Sequence, residues 1–217
     1  MLVDLTRLQP QFPGRGSNWS QLMSTEIVTP LLPYDIIICG LSELSGHAEA
    51  DISHVVSILD PVWPDPDEFS RWGRHRRVVW RFDDVVELGG GYKAPTRRDV
   101  EAILALGSEL SREPVTQLLI HCHAGVSRST ATAVILMAQH NPGREGEIFA
   151  ELNRVRPRSW PNALMLRLAD ALLERDGAII RELRRHQRRI TDAHPEFAEL
   201  LSRCGRAHEI AALDDAW

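Results

Sequence analysis

The chain has 217 residues, of which 43% are apolar and 25% charged, close to the average for globular proteins. That composition sets aside full-length disorder, collagen and fibrous folds, and the length suits one domain with an appendage or two small ones. A net charge of −5 gives no whole-molecule attraction to nucleic acid or to an acidic membrane.

Residues 1–24 carry no regular periodicity. Pro10, Pro13, Gly14 and Gly16 interrupt it, so this stretch is read as a flexible lead-in. It lacks the basic-then-apolar order of a secretion signal, and Met23 is a second candidate start. Four short apolar runs then read as buried strands: Tyr34–Cys39, His54–Leu59, Arg77–Phe82 and Gln117–His121. Segments of helical length lie between and after them. Glu43–Ala50 is a short one, and Arg97–Leu110 places Val100, Ile103, Leu104 and Leu106 on one side. Ser129–Gln139 is nearly all apolar, and Gly146–Val155 and Asn162–Arg175 follow. A basic helix begins at Ile179, and Pro195 marks a break before another helix.

Strands interleaved with helices predict an α/β fold. Its centre is a mostly parallel sheet of four to five strands flanked by helices, with extra C-terminal helices. The expected organisation is a lead-in over 1–24, one domain over 25–176 and a helical extension over 177–217. No apolar run approaches the ~18 residues of a membrane span. Three cysteines, Cys39, Cys122 and Cys204, cannot all pair and are too few for a disulfide scaffold, which points to a reducing cytoplasm.

The chemistry concentrates in Gln117–Gln139. A buried strand ends at His121, a loop holds Cys122 to Arg128, and a helix starts around Ser127–Ser129. Within it stand His121, Cys122, His123, Ala124, Gly125, Val126, Ser127, Arg128 and Ser129. A loop wrapped onto a helix N-terminus turns backbone N–H groups inward and makes a site for an oxyanion. Gly125 lets the chain bend without a side chain in the bowl. Arg128 can grip two oxygens with its planar fork. The same field favours the thiolate of Cys122, and the Ser129 hydroxyl can hydrogen-bond that sulfur and help it leave. His121 is expected to orient the loop.

This segment resembles the active-site signature of the cysteine-dependent protein tyrosine phosphatases, in their compact dual-specificity branch, read as of bacterial type. The resemblance covers about Tyr34 to Glu174. It implies a phosphoric monoester hydrolase that works through a phosphocysteine, with Cys122, Arg128, Ser129 and a general acid as catalytic residues. It implies no cofactor and no metal. His121, His123, Ala124, Gly125, Val126, Ser127 and Asn162 are its substrate-binding and loop-supporting positions. Asn162 matches within Arg156-Pro157-Arg158-Ser159-Trp160-Pro161-Asn162, where the branch uses asparagine to support the loop; it also suits a helix cap.

By topology the acid is Asp83 or Asp84, with Asp84 preferred. The separation from Cys122 is long for the compact branch, and Glu87–Pro95, with three glycines, accounts for the surplus as an inserted loop. Trp63-Pro64-Asp65 spells the acid loop of the tyrosine-specific phosphatases but follows the wrong strand; Asp65 or Asp67 is instead read as a helix cap. The expected substrate is a phosphorylated protein or peptide, with no nucleic-acid or membrane partner. A phosphopeptide-binding module of weak activity, or a phosphatase for phosphoinositides or nucleotides, are the alternatives. The loop carries no lysine, which disfavours a polyanionic head group. Arg156 and Arg158 suit a rim that attracts acidic substrates, and Tyr92 could stack on a substrate ring. Arg181, Arg184, Arg185, Arg188 and Arg189 recur at helical spacing, as a docking face for an acidic partner would.

Overall fold

Four strands form one parallel sheet: β1 (Asp35–Cys39), β2 (His54–Leu59), β3 (Arg76–Arg81) and β4 (Gln117–His121), in the order β1-β4-β2-β3. The computed structural model describes residues 29–203 and 206–214. The lead-in at residues 1–24, the start at Met23 and Cys204 lie outside the described residues.

Alternation along the two central strands explains why they read as continuous apolar runs. Val56 and Ile58 of β2 and Leu118 and Ile120 of β4 join Ile38 in the main core under the helices. Val55 and Leu119 point the other way, into a smaller cluster with Cys39, Leu44 and Phe69. Both faces are covered, as a parallel sheet requires. Two 3-10 turns, Leu41–His47 and Asp67–Arg71, supply Leu44 and Phe69 to the second face.

β3 departs from expectation. It is half-exposed rather than buried, because it is an edge strand that pairs only with β2. Two of its arginines meet carboxylates: Arg76 bonds Glu109 and Glu113, and Arg81 bonds Asp65. Charge of this kind blunts a sheet edge.

Helix α1 (Arg97–Leu110) opens on a capping box in which Thr96 and Asp99 exchange hydrogen bonds. Helix α2 (Arg128–His140) is buried on every side over its first eleven residues, which explains its lack of a polar stripe. Helices α3 (Glu145–Val155) and α4 (Ala163–Leu172) follow. Helix α4 stops short of the expected Arg175 because Glu174, Asp176 and Gly177 take left-handed conformations. The Asp170 carboxylate accepts from the amides of Gly177 and Ile179, favourable for an anion at the start of the next helix.

That helix, α5 (Ala178–Ala193), packs Ile179 and Leu183 into the main core. Helices α6 (Pro195–Arg203) and α7 (Ala207–Asp214) follow within the described residues. Trp160, Ile190, Phe197 and Leu201 form a third cluster, against which Val126 and Ile210 pack. Arg181, Arg184, Arg185 and Arg189 face solvent, and two of them bond within their own segment: Arg181 to the Asp176 carbonyl and Arg185 to Glu182. Among the described residues no helix is long and apolar enough to cross a membrane.

Because all four strands run parallel, their carboxyl ends meet along one edge. Gly40, Asp60, Phe82-Asp83-Asp84 and Cys122 are thereby brought to one side of the sheet, where open α/β sheets place their clefts.

Candidate active site

The segment Cys122–Ser127 joins β4 to α2, and the carbonyls of His123 to Ser127 are taken one by one from outside the loop. The His123 carbonyl accepts from Leu41 N at 2.9 Å, that of Val126 from Trp160 N at 2.8 Å, and that of Ser127 from Ala131 N and Asn162 N. The Ala124 and Gly125 carbonyls accept from the Arg156 guanidinium at 3.1 and 3.0 Å. A trans peptide points its N–H opposite to its C=O. Fixing these carbonyls outward therefore turns the amides of Ala124 to Arg128 to the other side, the concave arrangement that binds anions.

Gly125 is required by both conformation and space. Its φ is +68°, and a Cβ there would stand 2.4 Å from the Cys39 carbonyl carbon. The loop lies directly on the backbone that leaves β1. At Gly40 the reciprocal constraint holds, since a Cβ would meet the His123 oxygen and the Ala124 carbonyl carbon at 2.9 Å.

Cys122 is buried, and its sulfur lies 3.2 Å from the Ser129 hydroxyl. Arg128, the first residue of α2, is also buried. Its Nη1 donates to Asp60 Oδ1 at 2.6 Å and to the Phe82 carbonyl at 2.7 Å, so the ends of β2 and β3 orient the guanidinium. Arg128 Nε is buried without a hydrogen-bond partner among the described residues. A buried orphan donor is costly, and on an arginine at a ring of amides it is the donor an oxyanion would take. No sequence pattern singled out Asp60; the available signal was an acidic residue at the end of a parallel strand.

Asp84 and Asp83 separate clearly. Asp84 Oδ1 accepts from Ser127 Oγ at 2.7 Å and from Asn162 Nδ2 at 2.9 Å, which seats the carboxyl against the cysteine loop. Asp83 instead exchanges bonds with the Lys93 backbone, accepting at 2.7 Å and donating at 2.8 Å. It closes the base of the glycine-rich loop. Asp65 pairs with Arg81 at 2.5 Å and Arg77 at 3.5 Å; it caps no helix, and the 3-10 turn at Asp67 starts after Pro66 with no side-chain cap. Asn162 also bonds the Val85 carbonyl and caps α4 by accepting from Met165 N.

Two histidines take different places. His121 is fully buried and does not line the bowl, which corrects its grouping with substrate-binding positions. Its Nε2 bonds Ser57 Oγ at 2.6 Å, the Ser57 hydroxyl accepts from Arg77 Nε, and Phe69 lies alongside. Burial pushes His121 down to about 4, so it is neutral and sits beneath the loop. His123 is at the rim, where its Nε2 accepts from Asp60 N at 3.3 Å and its ring meets Trp63 at 4.5 Å. Burial lowers its pKa, opposed by Asp60.

Arg156 does not act as a free rim charge. It is the clamp on the loop's outer side, held in turn by a two-bond pair with Glu43 at 2.8 Å. That guanidinium holds the Glu43 carboxyl below its ordinary range. A second unforeseen arginine comes from the C-terminal segment: Arg206 Nη1 donates to Ser127 Oγ at 3.2 Å and stands 3.7 Å from Asp84 Oδ2.

No protein-family model and no curated protein matches this sequence. Among solved structures, human DUSP28 is 16% identical with a TM-score of 0.51, the match covering 66% of this chain and 94% of that one. A mouse putative dual specificity phosphatase, solved with zinc tungstate, is 18% identical with a TM-score of 0.49, over 69% of this chain and 87% of that one. The human tyrosine phosphatase-like serine/threonine/tyrosine-interacting protein is 18% identical with a TM-score of 0.46, over 66% and 93%. Two human proteins and one from mouse add nothing to the bacterial type expected from the sequence. At 16% identity the likeness to DUSP28 is one of architecture: the chain has the fold of the dual-specificity and protein tyrosine phosphatases.

Proposed function

We propose that this protein hydrolyses phosphate monoesters of phosphorylated proteins or peptides, as a tyrosine or dual-specificity phosphatase, through a phosphocysteine. The observation that carries this reading is the loop whose carbonyls from His123 to Ser127 are bound from outside, with a cysteine sulfur at one end and an orphaned guanidinium donor at the other.

In the first step the Cys122 thiolate attacks phosphorus, an S–P bond forms and the P–O bond to the leaving group breaks. Arg128 and the loop amides hold the non-bridging oxygens as charge shifts, and most of the acceleration comes from this fixed electrostatics. Asp84 gives its proton to the departing oxygen. In the second step water attacks phosphorus, Asp84 takes a proton from it, and sulfur leaves as a thiolate that accepts the Ser129 hydrogen bond. No metal or cofactor enters either step.

The test is a single turnover with a phosphorus-labelled aryl phosphate, stopped in denaturant. Label recovered on the peptide containing Cys122 is the expected result. Steady turnover with no labelled enzyme would overturn the covalent route, and no turnover would overturn the activity.

Asp84 has a signature of its own, because a general acid matters only when the leaving group is a poor one. Asp84→Asn lowers kcat on phenyl phosphate about 100-fold. On 2,4-dinitrophenyl phosphate, whose leaving group departs unprotonated, the loss is within about threefold. Equal losses on both would remove Asp84 from the acid role.

Trp63 supplies an aromatic wall. It is 45% exposed and packs against His123 of the loop, which suits contact with a substrate ring. Trp63→Ala raises KM for aryl phosphates about fivefold, the worth of one aromatic pair, while kcat stays within about twofold. Steady-state kinetics on phenyl phosphate check this.

A further inference from the structure

The C-terminal segment reaches the catalytic loop and places a guanidinium there. Arg206 is clamped by Glu209, which accepts from its Nε and Nη2. Glu209 is itself buried and accepts from the indole N–H of fully buried Trp160 at 3.0 Å. That tryptophan donates its backbone N–H to the Val126 carbonyl. The guanidinium is thus held on the far side by a rigid anchor, and Nη1 is presented to Ser127 Oγ at 3.2 Å and to Asp84 Oδ2 at 3.7 Å.

A hydroxyl has one proton to give. When Ser127 Oγ accepts from Arg206, its own proton goes to Asp84 Oδ1, at 2.7 Å. Without the guanidinium that hydroxyl can rotate, and one of the two donors on Oδ1 is no longer fixed. Asn162 Nδ2 would hold the carboxyl alone.

We propose that Arg206 is a positioning residue for the general acid, acting through the Ser127 hydroxyl, so that the C-terminal segment completes the active site instead of being appended to it. This inference rests on the phosphatase reading above and adds to it a residue that lies outside the stretch carrying the family resemblance.

The experiment compares full-length wild type, Arg206→Gln, Arg206→Lys, Ser127→Ala and the double variant Ser127→Ala/Arg206→Gln. Each is assayed at its own pH optimum, so that altered protonation does not enter. Substrates are phenyl phosphate and 2,4-dinitrophenyl phosphate. Arg206→Gln lowers kcat on phenyl phosphate about fivefold, the worth of one hydrogen bond, with little change in KM. The loss on the dinitrophenyl ester is within about twofold, and Arg206→Lys recovers part of it. The double variant is no worse than Ser127→Ala alone, because both changes break the same path.

Three results would overturn the proposal: equal losses on both esters, losses that add in the double variant, or Arg206→Gln matching wild type on phenyl phosphate. With an active wild type these leave the phosphatase reading standing. A wild type inactive on both esters overturns that reading and this inference together.

Discussion

Cys122→Ser is inactive on every phosphate monoester, with kcat at least about 10³-fold below wild type, yet still binds a phosphorylated peptide. Serine fills almost the same buried volume at the end of β4, so the loop keeps its outside bonds to Leu41, Arg156, Trp160 and Asn162. The amides and Arg128 that would hold the phosphoryl oxygens are untouched. What is lost is the nucleophile, since a hydroxyl does not ionise at neutral pH and its hydrogen-bond neighbour among the described residues, Ser129, is itself a hydroxyl and no base. Steady-state assay with an aryl phosphate and calorimetric titration with a phosphotyrosine peptide measure the two halves. Turnover within a hundredfold of wild type would exclude Cys122 as the nucleophile (about 3 kcal/mol is too little for its loss). Loss of binding together with loss of turnover would show that the loop had collapsed. The same variant, immobilised, then retrieves phosphorylated proteins as trapped substrates.

The parts of this site that the sequence discloses are those compressed into one stretch. Cys122, Gly125, Arg128 and Ser129 sit within eight positions at a strand–helix junction, so composition and spacing speak together. Topology narrows the candidate acid to Asp83 or Asp84, the pair just beyond the strand before β4, and it is the bond to Ser127 that sets the Asp84 carboxylate against the loop. The residues that escape notice act from far along the chain. Asp60 lies 68 positions from Arg128, Glu43 lies 113 from Arg156, and Arg206 lies 79 from Ser127. Each is a single charged residue that no local motif sets apart, and only the closing of the parallel sheet and the return of the C-terminal helices give it a partner. The fold follows the same rule. Apolar runs disclose β2 and β4 because burial on both faces removes polar residues. The run in β3 looks alike but belongs to an edge strand, and whether a strand has one neighbour or two depends on where the chain puts the others.

Arg128→Lys is expected to lower kcat about 10³-fold, as loss of a fixed transition-state donor does, with a melting temperature within a few degrees of wild type. The guanidinium serves two parties at once. Nη1 is spent on Asp60 and on the Phe82 carbonyl, while the buried Nε has no partner among the described residues and, in the function proposed above, is the donor that takes the substrate. A lysine ammonium is a single point of charge and cannot keep both engagements with a planar fork. If it stays with Asp60 it forsakes the phosphoryl group, and if it turns to the phosphoryl group it leaves Asp60 unpaired. Asp60→Asn separates orientation from charge stabilisation. The amide oxygen can still accept from Nη1 without the charge, so a smaller loss, about tenfold in kcat, is expected. Steady-state kinetics on phenyl phosphate, with thermal melts of each variant, give the comparison. Arg128→Lys retaining more than about a tenth of wild-type kcat would mean that the amide ring alone carries the transition-state charge. An Asp60→Asn loss as large as that of Arg128→Lys would mean instead that the guanidinium works only when its far side is held by an anion.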